Sequence, residues 1–372
     1  MSAEGASYRD AGVDYDALDS AKRLAMLGAL STSGLLAERG GRALDASRGE
    51  PAFVFELGER TLALVLEGLG TKSMIARAVL EQQGLNRFAE VAYDAVAAIL
   101  NDLACVGALP LVVNAYFATG DSSWYEQRDR STALLEGWRR GCEDAGCVWG
   151  GGESPTLPGM LAGQEIELAG AAVGALPDGV SPILGERLRD GDEIVFVCSS
   201  GLHANGASLA RLVAERLPHG FATPLPDGRG FGEALLDPSV MYVGLVAELL
   251  RRGVAVSYLS HVTGHGLLKL MRPSATFTYR VTALPEVPPV LAFLASEAGM
   301  DPAAAYSTLN MGVGYAVYCA PGEAQAVLSV ADELGLPALL GGRVEDGPRR
   351  VILEPLGVSY DGSRLELSVP GT

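Results

Sequence analysis

Thr61-Leu62-Ala63-Leu64-Val65-Leu66-Glu67-Gly68-Leu69-Gly70-Thr71-Lys72 is the stretch around which the other segments arrange themselves. It opens as an apolar run dense enough for a buried strand and ends in an acid, two glycines, a hydroxyl and an ammonium. Strands that deliver such groups at their carboxyl ends commonly build sites. Glycine at 68 and 70 permits positive φ and close backbone approach. Thr71 and Lys72 suit phosphate oxygens, and Glu67 suits a divalent cation. The spacing is not that of a P-loop, which needs four residues between the glycines and then Lys-Ser/Thr. The same residues also fit a plain strand, a turn and an exposed lysine.

Upstream, Phe53 to Leu57 and Arg60 to Leu66, separated by Gly58-Glu59, read as a hairpin leading into this strand. Gly34 to Gly49 reads as a polar, Gly-rich loop. Asp16 or Asp19 is expected to cap a helix running to about Leu30. Downstream, the Ala-rich stretch from Phe88 to Gly107, stopped by Pro110, is the clearest helix. Asn101 lies about 700° around it from Asp94, about 20° short of alignment, and Asp102 is about 80° away on the same side. Three polar groups thus share one sector of a helix otherwise apolar nearly all round, which points to function rather than to a solvated face. Leu111 to Thr119 reads as a strand, Trp124 to Ala145 as a helix, and Cys147 to Trp149 as a short strand. This last runs into Gly150-Gly151-Gly152-Glu153, where glycines and an acid suggest backbone near a ligand. Ile166 to Leu176 reads as the strand that closes this half.

Length and charge set the outer bounds. A chain of 372 residues suggests about two domains. Pro177-Asp178-Gly179 marks the boundary, giving units 1–176 and 177–372. The net charge of −17 argues against a nucleic-acid surface. It also implies that a phosphorylated ligand enters with Mg²⁺, because an acidic cleft alone repels it. The cysteines, 5 in number and without a CxxC pair, read as reduced thiols of a cytoplasmic protein. Met1 to Asp14 lacks the regions of a signal peptide. No apolar run reaches the roughly 18 residues of a membrane span, so no membrane partner is expected.

The second half repeats the style of the first. The loop Ser199-Ser200-Gly201-Leu202-His203-Ala204-Asn205-Gly206 falls between a strand, Glu193 to Val197, and a helix, Ser208 to Leu217. Such a transition suits anion binding at a helix N-terminus. Asp237 to Arg252 reads as a helix and Val254 to Leu259 as a strand. His261-Val262-Thr263-Gly264-His265-Gly266 is a second polar turn, and Asn310-Met311-Gly312-Val313-Gly314 precedes the strand Tyr315 to Cys319. Neither spacing nor a partner carboxylate supports a three-histidine metal site at His203, His261 and His265.

Taken together, these stretches resemble the phosphoribosylformylglycinamidine cyclo-ligase (aminoimidazole ribonucleotide synthetase) family along nearly the whole chain. Ser7 to Asp14 is similar to its N-terminal arm, and Glu67-Gly68-Leu69-Gly70-Thr71-Lys72 to its Asp-Gly-Val-Gly-Thr-Lys. Asp94 with Asn101-Asp102 resembles its acid and Asn-Asp pair. Gly151-Gly152-Glu153, Ser199-Ser200-Gly201, His203-x-Asn205-Gly206, His261-x-Thr263-Gly264 and Asn310-x-Gly312 continue the series in order.

The resemblance implies an α+β / α/β two-domain fold, with an N-terminal sheet-and-helix domain that binds ATP and dimerises through its sheet. A C-terminal α/β domain completes a cleft for a small-molecule nucleotide substrate, and the cofactors implied are ATP and Mg²⁺. The implied reaction is ATP-dependent ring closure of formylglycinamidine ribonucleotide. Lys72, Asp94, Asn101 and Asp102 are then catalytic candidates. Glu67, Gly68, Gly70, Thr71, Gly151, Gly152 and Glu153 fall to ATP. Ser199, Ser200, Gly201, His203, Asn205, Gly206, His261, Thr263, Gly264 and Asn310 fall to substrate, and Glu67, Asp94, Asp102 and Glu153 to metal. The chain departs from the family pattern at Glu67, Ala115, Ser154 to Leu157, His265 and Ser307. These departures keep two alternatives open: an ATP- and Mg²⁺-dependent kinase-like or maturation enzyme with another substrate, and a non-catalytic nucleotide-binding protein.

Overall fold

The structure, a computed structural model, describes residues 15–365. The arm Ser7 to Asp14 therefore lies outside the described residues. Helix α1 (Tyr15–Leu30) contains Asp16 and Asp19 within its first turns rather than at its cap. The expected Gly-rich loop holds structure of its own: strand β1 (Gly41–Ala43) between two short 3₁₀ turns. β1 pairs antiparallel with β2 (Phe53–Leu57). β3 (Arg60–Gly68) completes the hairpin and carries most of the opening stretch.

α2 (Lys72–Gln83) and α3 (Phe88–Ala104) follow, then β4 (Leu109–Thr119) and α4 (Arg128–Ala145). The helix expected from Trp124 breaks at Gln127, whose backbone is not helical; Asp121 caps a separate 3₁₀ turn over Ser122–Glu126. β5 (Val148–Glu153) runs through all three glycines, which therefore lie in a strand and not in a loop. A side chain at Gly152 would place Cβ 2.0 Å from the Ala115 carbonyl oxygen, so close packing on β4 requires glycine there. β6 (Ile166–Ala175) finishes the first sheet, ordered β1-β2-β3-β6-β4-β5 and parallel only between β4 and β5.

Alternate residues of β6 are buried, as expected for a sheet with helices on one face. The opposite face is open and apolar: Leu64, Leu66, Leu111, Tyr116 and Val148 are all exposed on it.

The second sheet is ordered β13-β12-β9-β11-β7-β10-β8, antiparallel except between β12 and β9. Its strands are β7 (Glu193–Cys198), β8 (Val256–His261), β9 (Phe277–Val281), β10 (Val313–Cys319), β11 (Ala338–Asp346), β12 (Arg350–Leu353) and β13 (Val358–Asp361). Every residue of β8 is buried although it ends the ladder, and Tyr258 and His261 on it bond Glu50 and Asp102 of the first half. The helix expected from Asp237 begins only at Val243 and runs over Val243–Arg252. Pro238 interrupts it, and the Ser239 and Tyr242 N–H groups are claimed by side chains of α3, so residues 236–242 lie as a loop across that helix.

Candidate functional site between the two sheets

α3 is buried along almost its whole length, and its polar sector is where the two halves meet. Asp94, wholly buried, accepts a hydrogen bond from the Ser239 N–H at 2.6 Å and forms an ion pair with the equally buried Lys72. The Lys72 ammonium also donates to the His203 carbonyl at 2.8 Å. Asn101 donates to the Val240 carbonyl at 2.9 Å and accepts from the Tyr242 N–H at 2.7 Å. Asp102 bonds His261 Nδ1 at 2.7 Å. All three residues of the polar sector, with Lys72, therefore clasp the second domain.

This corrects the expected geometry at four positions. Lys72 does not reach outward to phosphates: from the first turn of α2 its side chain runs inward to Asp94. Asp94 is closed off from any ion by two partners, and burial raises its carboxyl above the ordinary range in spite of Lys72. Asn101 is a cross-domain tie. Asp102, expected as a metal ligand, is engaged by His261. Burial pushes the Asp102 carboxyl up, but the hydrogen bond and charge of His261 outweigh that and hold it low. His261 thus has a partner carboxylate, contrary to the sequence expectation.

The glycine turn after β3 is open. Gly70 adopts φ +73 with nothing within 4 Å of a Cβ position, so its backbone is approachable. Thr71 pairs with Ser208 across the domains at 2.9 Å. Glu67 shares the helix-covered side of β3 with Ala63 and Val65 by alternation. A carboxylate the sequence reading passed over stands on the opposite face: Glu167 of β6 accepts from the Gly70 N–H at 3.3 Å. Burial raises its carboxyl. Its signal was an acid at an outward position of an otherwise small and apolar strand.

The second-domain loops are built around Asn310. Its amide donates to the Gly201 and Leu202 carbonyls at 2.9 and 3.2 Å, and its Oδ1 accepts from Ser199 Oγ at 2.9 Å and the Gly312 N–H at 3.0 Å. Asn310 and Ser199 thus shape the loop, and Ser200 is tied to the Pro238 carbonyl at 2.6 Å. His203 sits at φ 60 and is buried. Its Nε2 accepts from the Ser200 N–H at 3.2 Å, while Nδ1 is buried without a partner. Burial drives its basicity well down, so the ring is neutral and Nδ1 carries the hydrogen. Gly206 adopts φ 110 at the cap of α5 (Ala207–Arg216), and Asn205 is exposed beside it.

His203, Asn205, His261, Thr263, Asn310 and Asn101 line one narrow cleft along α3. Its interior has room for about one water molecule, so a nucleotide fits only at its mouth. Gly151, Gly152 and Glu153 lie away from it on β5. The register pairs Glu153 with Tyr116 on the open sheet face. Among the described residues no three His, Cys, Asp or Glu side chains are gathered to hold a metal. Glu67 alone of the expected ligands stands at the glycine turn. Glu67 and Glu167 on either face of an open backbone turn fit Mg²⁺ brought in by nucleotide phosphates, a mode that needs few protein ligands.

Residues 49–176 match the family model for the N-terminal domain of AIR synthase related proteins, and residues 189–354 match that for the C-terminal domain. The chain belongs to the AIR synthase related family. Within it, a phosphoribosylformylglycinamidine cyclo-ligase of Methanococcus maripaludis is 31% identical over 342 residues, covering 91% of this chain and 92% of the relative. One of Xanthomonas campestris pv. campestris is 33% identical, covering 89% and 94%. This AIR synthase related chain is a divergent member of the cyclo-ligase family and an ATP-dependent ligase. Solved structures share its fold at lower identity. Hydrogenase maturation protein HypE superposes with a TM-score of 0.58 at 20% identity, covering 83% of this chain and 90% of that one. A structure described as AaThiL complexed with AMPPCP and TMP gives 0.56 at 17%, covering 84% and 90%. No helix among the described residues is long and apolar enough to cross a membrane.

Proposed function

We propose that this chain closes the imidazole ring of formylglycinamidine ribonucleotide, consuming ATP and releasing aminoimidazole ribonucleotide, ADP and phosphate. One observation carries the reading. In a chain alike to cyclo-ligases over nearly its whole length, the second-domain family motifs at His203, Asn205, His261, Thr263 and Asn310 line one cleft together with Asn101 of the α3 motif.

The residues divide by chemistry. His203 offers a buried, neutral Nδ1–H to a substrate oxygen or nitrogen at the cleft mouth, and exposed Asn205 offers an amide beside it. Asp102 holds His261 through Nδ1, which presents Nε2 for proton transfer to or from the amidine. Gly70 offers approachable backbone and Thr71 a hydroxyl for phosphates, with Glu67 at the Mg²⁺. ATP supplies the phosphoryl group that activates the formamide oxygen, and Mg²⁺ neutralises its charge. Lys72, Asp94, Asn101 and Asp102 act by holding the two loop-bearing domains at one orientation.

The open apolar sheet face supports a homodimer: five large apolar side chains stand exposed on it, and an apolar patch of this kind marks an interaction surface. The cysteines, all free among the described residues, suit a cytoplasmic setting.

The test is ADP release by purified protein given Mg·ATP with and without formylglycinamidine ribonucleotide. Turnover only with the ribonucleotide is expected. ATP binding without such turnover would instead favour a second reading, transfer to another acceptor. That reading draws on Ser307, which stands where the family carries an arginine before Asn310.

A further inference from the structure

The end of α4 carries a chemistry that the proposed reaction does not use. Gly146 adopts φ 68 and closes the helix in the left-handed conformation, with its N–H on the Glu143 carbonyl at 3.0 Å. The Cys147 N–H then reaches back to the Cys142 carbonyl at 2.9 Å. These two bonds make a Schellman cap, in which the residue after the left-handed position packs its side chain on the residue five before it. Here both of those residues are cysteines, so the cap brings two thiols together. The Cys142 thiol is buried in the core, while Cys147 is only half-buried and sits where α4 passes into β5.

We propose that Cys142 and Cys147 form a reversible disulfide, a redox modification site at the α4–β5 junction. Cys147 is the entry point, because it is the more accessible of the two. The Cys147 thiolate attacks hydrogen peroxide, or another two-electron oxidant of that class, giving a sulfenic acid and releasing hydroxide, which takes up the thiol proton as water. The Cys142 sulfur then attacks the Cys147 sulfur, and its proton leaves with the hydroxyl group as a second water. Two thiols and one peroxide thus become one disulfide and two waters; a dithiol reductant reverses the change.

The local electrostatics agree. The Cys142 thiol interacts with the Cys147 sulfur, which raises Cys142 and lowers Cys147 from its ordinary value. The other cysteines lack such an arrangement. Burial pushes Cys105 and Cys319 up to about 12, where thiolate is scarce, and raises Cys198 as well. The bond would staple to α4 the start of an edge strand whose ladder partner is β4. Trp138, one turn before Cys142, and Trp149, two residues after Cys147, stand 6.2 Å apart and flank the site.

Native protein treated with hydrogen peroxide should fall from 5 titratable thiols to three. The tryptic peptide starting at Gly141, which holds both cysteines, should lose two hydrogens and resist alkylation until reduced. Tryptophan emission should fall in step and recover with dithiothreitol. Cys142→Ser should leave a trappable sulfenic acid at Cys147, and Cys147→Ser should retain all its thiols under the same treatment. The proposal is overturned if the native peptide gains oxygen at Cys147 without linking, if all thiols persist, or if the link forms only after unfolding in urea.

Discussion

Replacing Asp94 by alanine is the sharpest test of how the two domains are held. The substitution leaves the Lys72 ammonium buried without its carboxylate, since both side chains are 0% exposed. Breaking one side of a buried pair costs about 3–5 kcal/mol. It also strips the Ser239 N–H of its acceptor, which costs about 1–3 kcal/mol where water cannot enter. A water entering the space left by the carboxylate offsets part of both, so the loss is about 4–6 kcal/mol. Against a usual stability of about 5–15 kcal/mol this is a large fraction. It corresponds to about 10–20 °C in Tm at about 2–4 °C per kcal/mol. Thermal unfolding followed by circular dichroism, with a urea titration, measures it. The companion variant Lys72→Met/Asp94→Leu should recover most of the loss, because no charge is then left unpaired in the seam. Were Asp94→Ala to unfold within about 3 °C of the parent, or the double variant to be weaker than the single, the pair would not be the closed tie described here.

Acid stability should depend on Asp102. Its carboxyl is held low in the fold, so its contribution is complete above the unfolded value near pH 4 and disappears as pH falls through the folded value. Asp102→Asn should cost about 1.5–3 kcal/mol at neutral pH and flatten the acid limb of a stability–pH curve; an unchanged limb would contradict the assignment. Gly152→Ala should destabilise by about 1–3 kcal/mol through overpacking against the Ala115 carbonyl, read by urea denaturation, whereas a harmless alanine would mean that β5 can shift. Leu66→Glu, at a position 73% exposed, should change monomer stability by no more than about 0.5 kcal/mol. It should shift sedimentation from dimer to monomer, and a persistent dimer would place the interface elsewhere.

The first sheet was largely legible because each of its strands announces itself locally: the hairpin through Gly58, the apolar run to Leu66, the alternation of β6. The polar sector of α3 was legible as a geometric fact and misleading as chemistry. Periodicity places Asp94, Asn101 and Asp102 on one side but carries nothing about what covers that side. The partners at Ser239, Val240 and Tyr242 lie about 140 residues away and act through backbone groups that no side-chain pattern encodes. Lys72 failed for the same reason: an ammonium reads as outward until its buried carboxylate is known. The glycines of β5 suggested a ligand because sequence cannot separate glycine needed for a visitor from glycine needed for a neighbouring strand.

The seam along α3 has a consequence for how this protein can be recombined. Asp94 depends on the Ser239 amide, Asn101 on the Val240–Tyr242 backbone, and Asp102 on His261. A chimaera taking one half from this chain and the other from a relative inherits only one member of each pairing. It would assemble only where the donor loop offers the same amides and an imidazole at matching places. The halves carry separate sheets, yet they are exchangeable only as a matched set.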